Sequence, residues 1–247
     1  MLRFIYFCCL FALVACGDSK KDERVPPIIV ITSPDNPPFE FKDTSKGGDK
    51  VIGFDIDVVH KLGEKLGRKI KIIEGEFSTI IPALQSGRAD MAIAGLTGTD
   101  ERRKTIDLSN PYYTDKIALL VSEESVIGSE KDLSGQKLGV QLGSTHEVMG
   151  KKWRSINENI NLITLNKGGD LIQELKNGRI DAVLIGLSEA KKIAASTIGI
   201  KAVALEVQGE SFVIAFPKGS PLVKPTNEAL GTMIEDIQQY AQKWMNK

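Results

Sequence analysis

The chain has 247 residues, 42% hydrophobic and 26% charged, with 32 basic side chains against 32 acidic ones. That length allows one large domain or two modest ones, each able to bury a core. The even charge balance leaves no basic surface for a nucleic acid or for a membrane-hugging face, so neither is expected as a partner of the folded part.

At the N-terminus, Met1-Leu2-Arg3 is followed by an unbroken apolar run from Phe4 to Val14. A positive start and a run this short fit a secretory signal and fall below the length of a membrane span. Leu13-Val14-Ala15-Cys16 resembles the bacterial lipobox, whose cysteine is acylated before cleavage ahead of it. Residues 1–15 are therefore expected to be a lipoprotein signal peptide and Cys16 the lipidated (palmitate-type) residue. Residues 16–27, polar and Pro-ended, are expected to tether the rest to a membrane. Cys8 and Cys9 would leave with the signal, so the mature chain keeps Cys16 alone and forms no internal disulfide.

Ile28-Ile29-Val30-Ile31 predicts a buried strand, ended by the rigid loop Ser33-Pro34-Asp35-Asn36-Pro37-Pro38. Lys42 to Lys50 is polar and Gly-rich, a hairpin-like surface loop. Phe54, Val58, Leu62 and Leu66 recur at helical spacing, and Gly67 stops them, so Asp55 to Leu66 is an amphipathic helix. Ile70 to Glu74 predicts a strand and Ser78 to Ser86 a helix. Lys137 to Val140, Glu147 to Arg154 and Asn161 to Leu165 repeat the alternation of strand, helix and strand. Pro225 to Trp244 is helical in character and is expected to pack back on one lobe. This alternation points to parallel α/β sheets.

One pattern occurs twice, 91 residues apart: Leu84-x-x-Gly87-Arg88-x-Asp90-x-x-x-x-Gly95 and Leu175-x-x-Gly178-Arg179-x-Asp181-x-x-x-x-Gly186. In each copy an amphipathic segment ends at a glycine and an apolar run follows, which reads as helix, cap, turn and buried strand. Both runs stop at a glycine, Gly95 and Gly186, where backbone can come close to a ligand. Two such units predict two similar lobes with a cleft at the carboxyl ends of their strands.

Several stretches together resemble a known family. They are Phe39-Glu40-Phe41, Gly53-Phe54-Asp55-Ile56-Asp57, Thr97-x-Thr99-x-x-Arg102, Ser109-Asn110-Pro111-Tyr112-Tyr113 and Leu138-Gly139-Val140-Gln141-x-Gly143-Ser144-Thr145, beside both copies of the repeat. Over nearly all of the mature chain, the sequence resembles the polar amino-acid solute-binding proteins of ABC importers (family 3, the type II periplasmic-binding-protein class). The resemblance implies an α/β fold of two similar lobes with mixed, mainly parallel sheets, joined by two crossing strands near Thr114 to Ala118 and Ser211 to Ala215. Lobe I would comprise residues 28–113 and 211–247, and lobe II residues 114–210. A monomer working with an ABC permease and its ATPase subunits is the family expectation.

A ligand α-carboxylate needs a planar cation and several N–H donors, because burying it unpaired costs several kcal/mol. Arg102 supplies the fork, and its place matches the family's carboxylate-binding arginine. Thr97 and Gly95 offer groups from the same loop. On the other lobe, Ser144 and Thr145 open a helix whose free N–H groups make an anion site; ordinary capping is their other reading. Phe77 matches the family residue that packs on the ligand side chain. Asn36 stands where the family usually has a second aromatic. Gly186 stands where the family has the carboxylate that binds the α-ammonium. Glu189, three residues on, is the candidate to reach back; otherwise the Gly95 carbonyl and Thr97 hold that group, or the ligand has no free α-amine. Ser33, Asp35, Glu76 and His146 are candidates for the side-chain pocket.

The function expected is a membrane-anchored extracytoplasmic receptor, periplasmic or at the cell surface, that captures a small polar ligand, foremost an amino acid. The alternatives are an exported enzyme of the cyclohexadienyl dehydratase type on the same fold, or a surface adhesin. The only histidines are His60, read as exposed, and His146, for which the sequence identifies no partner carboxylate. With no nucleophile–base or metal-spaced cluster, no catalytic residue, metal or cofactor is assigned and the protein is not expected to be an enzyme.

Overall fold

The computed structural model describes residues 25–43 and 48–245. The signal peptide, Cys16 and the first part of the tether lie outside the described residues. In chain order, β1 (Ile28–Thr32), β2 (Asp35–Asn36), β3 (Glu40–Asp43) and β4 (Lys50–Ile52) lead into α1 (Phe54–Lys65) and β5 (Ile70–Glu74). Then follow α2 (Ile80–Gln85), β6 (Met91–Ala92), α3 (Asp100–Arg103), β7 (Ile106–Leu108) and β8 (Tyr113–Asp115). The central part is β9 (Ile117–Ser122), β10 (Lys137–Gln141), α4 (Thr145–Ile156), β11 (Asn161–Leu165), α5 (Gly168–Lys176), β12 (Ala182–Gly186), α6 (Leu187–Ser196) and β13 (Ile200–Ala204). The chain closes with β14 (Glu210–Phe212), β15 (Ala215–Pro217), α7 (Val223–Thr232) and α8 (Ile234–Met245).

Two five-stranded sheets result, ordered β5-β1-β6-β15-β7 and β11-β10-β12-β9-β13. Each has the same plan. A strand flanked by two parallel neighbours (β1 by β5 and β6, β10 by β11 and β12) continues into two antiparallel pairings. Parallel and antiparallel pairings are therefore equal in number, because the strands entering from the lobe crossing arrive in the reverse direction. The two copies of the sequence repeat deliver β6 and β12, the middle strand of each sheet.

The repeated residues have one job in both places. Gly87 and Gly178 adopt positive φ (69° and 66°), which ends the helix without the steric penalty a Cβ would bring. Asp90 accepts a bond from the Ile29 N–H at 2.7 Å, and Asp181 accepts one from the Lys137 N–H, also at 2.7 Å. Each carboxylate thus ties the turn to a backbone donor at the start of the neighbouring strand.

Both faces of each sheet are covered, so the central strands are apolar throughout rather than alternating. In β9, Ile117, Leu119 and Val121 pack with Leu138, Val140 and Trp153, while Ala118 and Leu120 pack with Leu171, Val183 and Ile193 on the opposite face. In the first sheet, Val30 and Met91 meet Phe54, Val58 and Leu62 of α1, with α7 and α8 alongside, while Ile31 and Ala92 meet Ile80 and Leu84. The C-terminal segment does pack back on α1, but as two helices. Met233, fully buried, occupies the break between α7 and α8.

The sheets are connected by β8 and β14, which pair antiparallel with Tyr113 opposite Phe212, Thr114 opposite Ser211 and Asp115 opposite Glu210. The β2–β3–β4 meander lies beside α1, and its entry to that helix passes through Gly53 at φ 138°. A Cβ at Gly53 would collide with the Phe39 carbonyl, to which Asp55 N–H donates at 2.9 Å. Gly53→Ala should therefore cost about 3 kcal/mol or more through strained φ and backbone overlap. Urea unfolding of the variant gives the figure, and a loss below about 1 kcal/mol would contradict this account.

Candidate functional site

Between the two sheets lies a cavity of about 50 Å³, lined from both sides. Asp35, Asn36, Phe77, Gly95 and Thr97 face it from the first sheet's loops. Gln141, Ser144, Thr145, His146, Gly168, Gly186 and Glu189 face it from the second, and Glu210 and Phe212 from β14. Strand-end glycines and helix N-termini converge here, as the carboxyl ends of α/β strands should.

The lobes touch through polar contacts around this cavity. Gln141 Nε2 and the Gly168 N–H donate to Asp35 Oδ2 at 3.0 and 2.8 Å. The hydroxyls of Thr97 and Thr145 are 3.4 Å apart. Arg102 Nη1 donates to the Thr97 carbonyl at 2.7 Å and Nη2 to the Gly143 carbonyl at 3.1 Å, so one guanidinium spans both sides. Its carbon lies 5.7 Å from the Phe77 ring centroid, within cation–π range. Arg102 is buried, and burial lowers it to about 10 while Glu210 acts in the opposite sense. Its guanidinium borders the adjoining groove with Ile81, Val148 and Trp153 rather than the central cavity.

Ser144 caps α4: its hydroxyl accepts from the Glu147 N–H at 3.1 Å and donates to the Gln141 carbonyl at 2.7 Å. The capping reading therefore describes the Ser144 side chain, while Thr145 turns towards Thr97. Phe77 sits in a short 3-10 turn ahead of α2 and lines the cavity, as does Asn36, whose Nδ2 donates to Glu40 Oε1 at 3.0 Å. Gly95, at φ 52°, presents its N–H to Asp55 Oδ2 at 2.8 Å. Ser33 Oγ supports Asp35 at 2.9 Å, and Glu76 borders a separate outer groove. His60 is exposed on α1.

Three carboxylates line the cavity. Asp35 is shifted up by burial, against which Gly168, Ser33 and Gln141 donate. Glu189, in the first turn of α6, forms no hydrogen bond or ion pair with another described residue; burial, then Asp35 and Asp115, push it well above the usual carboxylate range. Glu210 is also pushed up by burial. His146 and the Thr145 and Thr97 hydroxyls more than offset this and leave it at about 2. His146 Nε2 is 3.2 Å from Glu210 Oε2, a close contact without the alignment of a good hydrogen bond. Sequence reading assigned His146 no carboxylate, because Glu210 lies 64 positions away and reaches it only through the strand crossing.

Glu210 and Asp115 are the residues that sequence reading missed. The signal available was strand alternation: Glu210 and Phe212 fall on one face of a predicted crossing strand, and both line the cavity. Asp115 stands behind Gly186. A Cβ on Gly186 would meet Asp115 Oδ2 at 2.7 Å. That carboxylate accepts from the Ser188 N–H at 3.1 Å, from Ser188 Oγ at 2.9 Å and from the Lys116 N–H at 2.9 Å.

Under the Gly95 loop lies a second acidic pair. Asp55 accepts from Gly95 and, at 2.9 Å, from Tyr112 Oη; burial raises it to about 6. Glu40, fully buried beside it, is raised well above the usual range by burial and then by Asp55. A raised carboxyl holds its proton more tightly in the native state than in the unfolded chain. Its stabilising share is present at low pH and is lost as pH climbs from 3.8 through about 6. Glu40→Gln should therefore raise stability above pH 7 by about 1 kcal/mol, or 2–4 °C in melting temperature, and leave it unchanged near pH 4. Melting curves at the two pH values decide; equal stability of both proteins at pH 8 would be the contrary result.

Residues 28–247 match the sequence profile described as bacterial extracellular solute-binding proteins, family 3. The chain is 34% identical over 251 residues to the arginine-binding extracellular protein ArtP of Bacillus subtilis, covering 99% of this chain and 96% of that one. It is 33% identical over 219 residues to a probable histidine-binding protein of Campylobacter jejuni, covering 83% and 81%. Among solved structures, an ancestral arginine-binding protein bound to arginine superposes with a TM-score of 0.83 at 38% identity, covering 89% of this chain and 98% of that one.

Proposed function

The chain belongs to the bacterial extracellular solute-binding proteins, family 3, and from that premise we propose that its cavity captures a cationic amino acid for an ABC importer. The observation that carries the cationic class is the Glu189 carboxylate, which lines the cavity without a hydrogen-bond or ion-pair partner. Asp35 joins it: a Cβ on Gly168 would lie 3.6 Å from Asp35 Oδ2 and 3.9 Å from Glu189 Oε1. Two carboxylates converging in a buried place favour a guanidinium or ammonium there, since like charges left together are costly. Arginine binding by the Bacillus subtilis relative, as its name states, supports this reading.

In this mechanism the ligand α-carboxylate is met by Arg102, the Thr97 hydroxyl and the N-terminal end of α4 at Ser144 and Thr145. The Arg102 fork, which reaches the Gly143 carbonyl across the cleft, turns to the ligand oxygens when they are present. Phe77 and Asn36 flank the side chain, and Glu189 with Asp35 neutralises its cation. Residues 28–113 with 211–247 form one moving body and residues 114–210 the other, turning about β8 and β14. The ligand contacts both bodies and shifts the population towards the closed arrangement. Delivery to a permease with its ATPase subunits, by a monomer held at the membrane through acylated Cys16 after loss of residues 1–15, completes the reading.

A thermal-shift screen of the twenty amino acids tests the ligand class. A ligand at a hundredfold excess over its Kd adds about 2.7 kcal/mol to native stability. Arginine and lysine should raise the melting temperature most, and Glu189→Gln should lower arginine affinity by at least about tenfold, or 1.4 kcal/mol. Tighter binding of glutamate than of arginine would overturn the cationic reading. For the anchor, Cys16→Ser should move the protein from the detergent phase to the aqueous phase in a detergent partition; an unchanged distribution would refute lipidation at Cys16.

A further inference from the structure

In this chain the strand-end position of lobe II is Gly186, which has no side chain to offer an ammonium. A side chain could not be added there without displacing Asp115, whose Oδ2 would lie 2.7 Å from its Cβ. Acidic groups stand nearby on the crossing strands. Asp115 on β8 and Glu210 on β14 stand directly opposite each other in register, and so on the same face of the ribbon. The two differ in how far their charge is already used. Asp115 takes three donors from Lys116 and Ser188 at the start of α6 and does not border the cavity. Glu210 borders the cavity and faces the Thr97 and Thr145 hydroxyls, and the neighbouring His146 imidazole, 3.2 Å away, is poorly aligned with it.

The position of Glu210 relative to Arg102 fits a zwitterion. Both groups are organised around Thr97: Arg102 holds its carbonyl at 2.7 Å, and the Thr97 hydroxyl faces Glu210. An α-amino acid carries its carboxylate and ammonium on one carbon, so a cation and an anion flanking Thr97 offer the two charges it needs once the Arg102 fork turns from the Gly143 carbonyl towards the cavity. Glu189 and Asp35 converge elsewhere, at Gly168, and remain for the side chain.

We propose that Glu210 binds the ligand's α-ammonium in this protein, replacing the side chain that Gly186 lacks, and that His146 yields its contact with Glu210 as the ligand enters. The proposal rests on the amino-acid reading of the cavity but not on the cationic side-chain class. Glu210 is a binding residue, Asp115 a positioning residue that fixes both the ribbon and the need for glycine at 186.

The test is calorimetric, with full-length protein and two probes that differ only in the α-amino group: L-arginine and 5-guanidinopentanoate. The wild type should prefer L-arginine by at least about a hundredfold, and Glu210→Gln should reduce that preference to within about threefold while binding of 5-guanidinopentanoate stays unchanged. A Glu210→Gln protein that still discriminates between the two probes would overturn the proposal. A rescue guards against a merely structural effect. In the Glu210→Gln background, Gly186→Asp with Asp115→Gly restores a carboxylate at the strand end and should recover discrimination; Gly186→Asp with Asp115 retained should not, because the two side chains overlap. Recovery in both, or in neither with all variants folded by their melting curves, counts against the assignment. If L-arginine does not bind, the cationic reading fails alone, and L-glutamine with 4-carbamoylbutanoate puts the same question to Glu210. Failure of every α-amino acid to bind would overturn this proposal as well.

Discussion

The short antiparallel pairing of Tyr113–Asp115 with Glu210–Phe212 is the constraint on which the rest of the molecule depends. It is the register that joins the two sheets, and it lines the cavity between them. Phe212 adds a bridge to Thr97, and the Gly98 N–H donates to the Ser211 carbonyl at 3.1 Å, so the ribbon also fixes the cavity-facing loop of the first sheet. The same register sets two acids side by side. Like charges directly opposite in a ribbon are unfavourable by several tenths of a kcal/mol or more. The structure tolerates them because Asp115 is satisfied by the start of α6 and Glu210 faces the Thr97 and Thr145 hydroxyls.

Buried acids recur wherever the backbone comes close to the cavity. Asp55 holds the Gly95 N–H, Asp35 holds the Gly168 N–H, and Asp115 holds the Ser188 N–H. Each spends a carboxylate to fix a backbone donor next to a glycine or at a helix start. A buried carboxylate is costly unless it is bonded, and each of these takes further donors besides: Tyr112 on Asp55, Ser33 and Gln141 on Asp35, and Lys116 and the Ser188 hydroxyl on Asp115. Of the three acids lining the cavity, only Asp35 has that duty; Glu189 and Glu210 hold no backbone donor among the described residues.

The duplicated sequence unit shows how one local design serves two ends. In both copies the turn aspartate accepts from an N–H at the start of the neighbouring strand at 2.7 Å, and the strand becomes the middle one of its sheet. Beyond the strand the copies diverge. Gly95 turns through a left-handed conformation and offers its N–H to Asp55, whereas Gly186 stays extended (φ −66°, ψ 148°) and is held open by Asp115. Glycine is favoured at 95 by its φ, whereas at 186 a Cβ would press on the Asp115 carboxylate at 2.7 Å.

The sequence by itself determined the α/β alternation, the two lobes' shared unit and the family, because these rest on local periodicity, glycine stops and motif spacing. Helix α1, strands β5 and β11 and the turn glycines at 67, 87 and 178 stood where the pattern put them, since each depends on residues a few positions apart. Phe77, Asn36, Thr97, Thr145, Gly186 and Glu189 were legible as site candidates through their place in the motifs, and all line the cavity. Tertiary structure alone decided that the C-terminal segment breaks at buried Met233, that Arg102 spans the lobes through two carbonyls, and that Asp115 fills the place of a side chain at 186. It also decided that Glu210 meets His146 and Asp115, partners 64 and 95 positions away in sequence. No local pattern encodes such pairings; they follow from the register of two crossing strands, which is set only when both sheets have packed.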